Sequence, residues 1–199
     1  MSEDELSLYR AAAKEALRKR LAALRRTLTT EARAERSRRA SERLIAEPAF
    51  AAAQVVLAYA ALRFELDPSH AIEHAIASGK TVALPRVIPE TSELALHVYK
   101  PGDELTESGY GVREPLADAA RIAAEQVDLV LVPALAFDAR GFRLGYGKGF
   151  YDRLLPSLGR AERIGLAFEL SLLPQLPNED HDIAVHRVVT EKRVIEAQP

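Results

Sequence analysis

The sequence predicts one α/β domain with a largely parallel sheet, and three observations predict it. Short apolar runs typical of buried strands recur along the chain, among them VVLAYA at 55–60 and DLVLV at 128–132. Segments of helical periodicity stand between them. Strands alternating with helices call for helices on the faces of a largely parallel sheet. A chain of 199 residues fits one domain over 1–199 and is long enough to bury a core.

Residues 5–28 read as an amphipathic helix, with Leu6, Tyr9, Ala13, Leu17, Leu21, Leu24 and Leu28 at steps of three and four. Thr29 and Thr30 can cap a second helix running to about Ala46, with Pro48 just beyond. The first strand spans 55–60. Asp67 and Pro68 open a helix as cap and first helical residue, and Gly79 ends it. Strands follow at 81–84 and, by alternation, 94–99. A helix is expected near 116–125, then the strand at 128–132. Residues 149–158 read as helical and 164–168 as a strand, and 188–190 with 193–195 as a terminal hairpin. The whole is a Rossmann-like sheet with two N-terminal helices packed on it.

Composition narrows the function classes. Hydrophobic residues make up 48% and charged residues 28%, a globular mix. No run approaches the roughly 20 apolar residues of a membrane span, and the charged N-terminus has no apolar signal region. A cytoplasmic protein without membrane contact is expected. The absence of cysteine excludes disulfides and thiolate metal sites. Residues 1–43 carry 12 Lys/Arg against 7 Asp/Glu. The arginines alternate with Glu and Ala at helical spacing, the pattern of a solvated helix face rather than a nucleic-acid arm. One or two of those charges can still serve a small anion.

The chemistry is concentrated in VPALAFDARGFRLGYGKGFYDRLL at 132–155. A buried strand ends near Val132, and Gly145, Gly147 and Gly149 follow at alternate positions. Glycines let the backbone approach a ligand and turn N–H groups toward it, and a helix N-terminus after such a turn favours anions. Lys148 and Arg143 can neutralise phosphate oxygens, and Asp152 can hold magnesium while phosphates and water complete the shell. Parallel sheets bind ligands at the carboxyl ends of strands, where this loop falls. The stretch is not a Walker loop: Gly79-Lys80-Thr81 has its last letters, but His74 stands where the first glycine belongs.

FDARGFRLGYGKGFYDRLL resembles the signature of the 5-formyltetrahydrofolate cyclo-ligase family. KEALR at 14–18, the GKTVALPRV segment, GVREP at 111–115 and the tail LPNEDHDIAVHRVVTE resemble family elements in the same order. The resemblance implies an ATP- and magnesium-dependent enzyme that converts 5-formyltetrahydrofolate to 5,10-methenyltetrahydrofolate with release of ADP and phosphate. The formyl oxygen attacks the γ-phosphate, giving an iminium phosphate. The tenth-position nitrogen then closes the ring and phosphate leaves. Catalysis is positioning and charge stabilisation, for which Lys148 and Arg143 are the candidates, and no protein nucleophile is needed.

The resemblance also distributes the site. Lys14 and Arg18 share a helix face one turn apart; on their own they read as a solvated pair on an arginine-rich helix, and the resemblance reverses that and implies ATP contacts. It assigns ATP further to Arg143, Gly145, Tyr146, Gly147, Lys148, Gly149, Phe150 and Tyr151. Folate falls to Leu62, Glu65, Tyr146 and Phe150. Glu65, otherwise a surface glutamate before a helix, accepts hydrogen bonds from pterin N–H groups in this reading. Leu62 is otherwise an ordinary core residue. Tyr146 replaces an arginine that some relatives carry between the first two loop glycines. It can stack on a planar ligand but cannot make the arginine's ionic contacts. Asp182 joins Asp152 as a magnesium contact. His181 and His186 are read as non-ligands, and His70, His74 and His97 give no catalytic signal. The expected partners are the two small-molecule substrates alone, with no nucleic acid, acting on a monomer. Three rivals stand beside this reading: a sugar-phosphate isomerase or coenzyme-A transferase-like enzyme on a similar scaffold, a nucleotide-binding regulator without catalysis, and a nucleic-acid binder using the basic N-terminal arm.

Overall fold

A computed structural model describes residues 2–179 and 182–198. Helix α1 spans Glu3–Arg26 and starts two residues before its apolar periodicity, because Ser2 and Glu5 form a capping box. Helix α2 (Thr30–Ile45) begins at Thr29, whose hydroxyl accepts from the Ala32 N–H at 3.2 Å. A short helix α3 (Pro48–Ala52) has proline in its first turn and buries Phe50. Strand β1 (Val55–Leu57) is shorter than its apolar run. Residues 58–60 leave the sheet at its carboxyl end, where Tyr59 and Ala60 line a cavity.

Helix α4 (Ser69–Ala77) follows, with Pro68 at the cap rather than the first helical position. Asp67 Oδ1 accepts from the Ser69 N–H at 2.9 Å, so the carboxylate still performs the capping. Gly79 ends the helix at φ +80°. Strand β2 (Thr81–Ile88) runs on through Pro85. The proline is tolerated because β1 pairs only with Thr81, Val82 and Ala83. Strand β3 (Glu93–Tyr99) returns antiparallel, and β4 (Leu105–Glu107) and β5 (Arg113–Pro115) form a hairpin.

The helix expected at 116–125 does not form. Its place is taken by β6 (Arg121–Ile122), antiparallel to β3, and a 3-10 turn at Ala124–Gln126. The segment is rich in alanine, but Leu116 is 38% exposed and no core lies beneath a helix there. The open edge of β3 pairs with it instead: the Val98 N–H donates to Ala120 O at 2.7 Å. Tertiary pairing overrides local propensity.

Strand β7 (Leu129–Pro133) leads to β8 (Ala136–Asp138) and β9 (Arg143–Leu144), which with β11 (Leu172–Leu173) make a small three-stranded sheet. Helix α5 (Phe150–Leu154) continues as a 3-10 turn to Leu158, followed by β10 (Glu162–Leu166) and the terminal hairpin β12 (Arg187–Val189) and β13 (Val194–Glu196). The large sheet has the order β13-β12-β10-β7-β1-β2-β3-β6. Its five central strands are parallel, with antiparallel strands at both edges.

Alternation along the central strands divides the core into two layers. Val56, Leu129 and Leu131 face Leu44 of α2 and Ala71 and Ala75 of α4. Leu57, Val130 and Val132 face Leu154, Leu155 and Leu158 on the other side. Helix α1 lies against the small sheet, with Leu21 buried among Leu135, Ala136 and Leu144. From β1 the chain moves outward to β2, while β7 lies on β1's other side. The carboxyl ends of β1 and β7 therefore flank a topological switch point.

Candidate active site

A cavity of about 290 Å³ opens at that switch point. The turn after β1 supplies Leu62 and Glu65, which close on each other. The Leu62 N–H donates to Glu65 Oε2 and the Glu65 N–H to Leu62 O, both at 2.9 Å. Glu65 is buried, and burial pushes its carboxyl above the usual range. The Leu62 amide, the Arg25 charge and a hydrogen bond from Tyr146 oppose that rise. The charge of Glu65 in turn adds to the burial that raises the Tyr59, Tyr146 and Tyr151 phenols, so all three stay protonated.

The glycine loop forms the facing wall. Gly147 has φ +88° and Gly149 φ +68°, left-handed conformations that exclude most side chains. A Cβ on Gly147 would stand 3.3 Å from the Arg18 guanidinium carbon. That close approach lets Arg18 Nε donate to Gly145 O at 3.0 Å, tying α1 to the loop. Helix α5 after the loop has five residues, so the cradle depends on loop N–H groups and nearby cations more than on a helix dipole. Lys148 is exposed, with Nζ 5.6 Å from the Tyr110 ring centre, and Tyr110 meets Phe150 edge-on at 5.2 Å.

Charges gather at the same mouth. Arg143, 5% exposed, donates from Nη1 to Ile183 O at 2.6 Å and pairs through Nη2 with Asp152. Burial lowers the Arg143 pKa, while Asp152 and Asp182 oppose that drop, so both carboxylates bear on one guanidinium. Lys14 Nζ lies 2.9 Å from Glu179 Oε1 and 3.4 Å from Asp182 Oδ2. Asp182 Oδ2 also accepts from the Glu179 N–H at 2.9 Å.

All fourteen residues singled out from the sequence border this one cavity, from Lys14 and Arg18 of α1 to Asp182 near the C-terminus. His186 sits apart, bonded to the Arg163 backbone, and His181 lies outside the described residues. Several neighbours went unassigned, among them Arg25, Tyr110 and Glu114. Arg25 is buried behind Tyr146. Tyr110, at the tip between β4 and β5, lines the cavity mouth. Glu114, 4% exposed, accepts from the Val87 N–H at 3.1 Å and pairs with Arg86 at 3.0 Å. For Arg25 a signal existed: Lys14, Arg18, Leu21 and Arg25 follow at i, i+4, i+7 and i+11, one helix stripe.

The family model of the 5-formyltetrahydrofolate cyclo-ligase family matches residues 10–191. The chain belongs to the 5-formyltetrahydrofolate cyclo-ligase family. The 5-formyltetrahydrofolate cyclo-ligase of Escherichia coli K12 is 34% identical over 176 residues, covering 86% of this chain and 97% of the relative. The solution structure of Aquifex aeolicus 5,10-methenyltetrahydrofolate synthetase superposes with a TM-score of 0.81 at 32% identity, over 94% of this chain and 93% of that one. The Mycoplasma pneumoniae synthetase shares the fold, with a TM-score of 0.73 at 22% identity over 89% and 98% of the two chains. Cyclo-ligase membership makes the chain an enzyme of folate chemistry, and its central sheet is the cyclo-ligase sheet. No helix among the described residues is long and apolar enough to cross a membrane.

Proposed function

We propose that this cyclo-ligase joins the formyl oxygen of 5-formyltetrahydrofolate to the γ-phosphate of ATP and then closes the methenyl ring, in the cavity at the β1–β7 switch point. The observation that carries this reading is the meeting, in one cavity, of a phosphate-type glycine loop with a buried carboxylate suited to pterin N–H donors. ATP lies along Lys14, Arg18 and Arg143 and over Gly145, Tyr146, Gly147, Lys148, Gly149, Phe150 and Tyr151. Folate takes the Leu62–Glu65 turn, with Tyr146 and Phe150 against its rings.

An amide oxygen is a poor leaving group, and its transfer to phosphorus makes it a good one. Loop N–H groups, Lys148 and Arg143 face the region where charge spreads over the transferred phosphoryl, so they stabilise it without reorganising. Ring closure expels phosphate and leaves ADP and the methenyl product.

Magnesium suits the mouth of the cavity. Asp152, paired with Arg143, and Asp182, 3.4 Å from Lys14 Nζ, are hard oxygen donors that border the same cavity, and magnesium takes one or two carboxylates beside phosphates and water. Asp152 and Asp182 would hold it, and when bound it supplies charge neutralisation at the phosphates. The reading is of a cytoplasmic monomer acting on small molecules only. An ultraviolet assay for methenyltetrahydrofolate, with and without Mg-ATP, tests it. Product is expected only with both present. Turnover without nucleotide would favour the isomerase or transferase rival, and ATP binding without consumption the regulator.

A further inference from the structure

A third wall of the cavity has no task assigned so far. It includes Val87 of β2 and Tyr110, Val112 and Glu114 of the β4–β5 hairpin. The hairpin is a two-stranded sheet of its own, with no ladder to β2 or β3. Its tip is closed on itself. The Ser108 N–H donates to Val112 O at 2.8 Å, and the Ser108 hydroxyl accepts from the Tyr110 and Val112 N–H groups, both at 3.3 Å. The hairpin is therefore one stiff unit, and its placement depends on what ties it to the large sheet.

That tie is centred on Glu114. Strand β1 pairs with β2 only as far as Ala83. Beyond it, Glu114 Oε2 accepts from the Val87 N–H, so a side chain stands in for the missing strand partner. Glu114 Oε1 lies 3.0 Å from Arg86 Nη1, and the same nitrogen donates to Pro115 O at 2.6 Å. Among the described residues, every hydrogen bond and ion pair between residues 105–115 and the large sheet runs through Glu114 or Arg86. Charge-assisted bonds of this kind are the strong ones, and with both carboxylate oxygens engaged the hairpin has one seat.

At the far end of that unit, the Tyr110 ring lies against Phe150 and Lys148 of the glycine loop. We propose that Glu114 is a positioning residue for this loop: it seats the hairpin so that the Tyr110 ring holds Lys148 and Phe150 in place. The proposal rests on the cyclo-ligase reading of the cavity. Edge-on rings keep a preferred angle, and a cation is drawn to an aromatic face. Among the described residues the Lys148 ammonium makes no hydrogen bond or ion pair, so the ring is what restrains it. A lysine already in position stabilises a transferred phosphoryl group without first being ordered. A tie with a purely structural role would steady the hairpin and leave the loop chemistry untouched.

The test is a double-mutant cycle on kcat/KM for ATP, measured well below the melting temperature of each variant. Glu114→Ala and Tyr110→Leu should each lower it by about tenfold, within the range that small misplacements cause. Because Glu114 acts through Tyr110, the double variant should also lose only about tenfold. A loss of about a hundredfold, the product of two independent effects, would overturn the proposal. So would wild-type kinetics in either folded single variant. Glu114→Gln keeps an oxygen for the Val87 N–H and should recover most of the loss. If Glu114→Ala fails to fold, Arg86→Gln loosens the same tie from β2 and takes its place in the cycle. A second readout needs no turnover and uses the absence of tryptophan from the chain. The indole of Tyr110→Trp should emit further to the red when Glu114→Ala or Arg86→Gln is added, as the tip leaves the loop. Unchanged emission would overturn the proposal as well. Absence of turnover in the wild-type protein would instead sink the cyclo-ligase reading, and the emission would still decide whether Glu114 seats the tip.

Discussion

Arg143 and Asp152 form an ion pair across the glycine loop, and Arg143 is almost wholly enclosed while Asp152 is 41% exposed. The pair joins β9 to α5 and holds the carboxylate at the cavity mouth. Asp152 therefore has two available tasks, steadying Arg143 and holding magnesium.

Asp152→Asn separates those tasks. The amide keeps the size and an oxygen that can accept from Arg143, so the melting temperature should change little; loss of favourable charge in the first turn of a helix is worth about 0.3–1 kcal/mol. Outer contacts to a metal typically matter by roughly 10- to 100-fold in affinity, so loss of a direct ligand should lower turnover at limiting magnesium by at least about tenfold. Excess magnesium should restore part of it. Normal turnover across a magnesium titration would remove the metal role, and a collapsed melting temperature would make the residue structural.

Glu65→Gln should act on folate and leave ATP binding intact. A charged hydrogen bond contributes about 1.5–3 kcal/mol, so KM for folate should rise roughly 10- to 100-fold. The raised carboxyl also predicts a stability profile. Without substrate, the folded state binds its proton more tightly than the unfolded chain does. Stability should thus fall as pH rises from the ordinary carboxylate range through the raised value, and the Gln variant should lose that slope. Parallel melting-temperature curves for the two proteins would contradict the assignment.

Lys14→Met should weaken ATP more than folate. Lys14 Nζ sits between Glu179 and Asp182 at the cavity edge, and ATP phosphates would compete for it. A rise of about tenfold in KM for ATP, with KM for folate within about twofold, is the expected split. Equal effects on both substrates would mean that α1 had shifted as a body.

Gly165→Ala tests the packing beneath the site. A Cβ at Gly165 of β10 would stand 2.5 Å from the Phe137 ring, whose residue is fully buried in β8. Overpacking of this kind costs about 1–3 kcal/mol. The melting temperature should drop by roughly 2–12 °C. An unchanged melting temperature would show that Phe137 has room to move.

Much of this was legible in the sequence because the central strands are buried on both faces and read as unbroken apolar runs. The glycine loop was equally plain, since alternate glycines among Lys, Arg and Asp have few structural uses. What was hidden depends on contacts between distant segments. The 116–125 segment has helical composition, but the edge of β3 decides its state. The hairpin of β4 and β5 carries no strong alternation, and its place is set by Glu114 accepting from β2. Arg25 looks like one more arginine on a basic helix until the turn at Ala134 and Leu135 closes over it.

The most direct test of the central claim follows the oxygen. If the formyl oxygen attacks the γ-phosphate and leaves with it, 5-formyltetrahydrofolate labelled with oxygen-18 in the formyl group should pass its label to inorganic phosphate. One labelled phosphate and one ADP should appear for each methenyltetrahydrofolate formed. Label released into water, with unlabelled phosphate from ATP, would contradict the account.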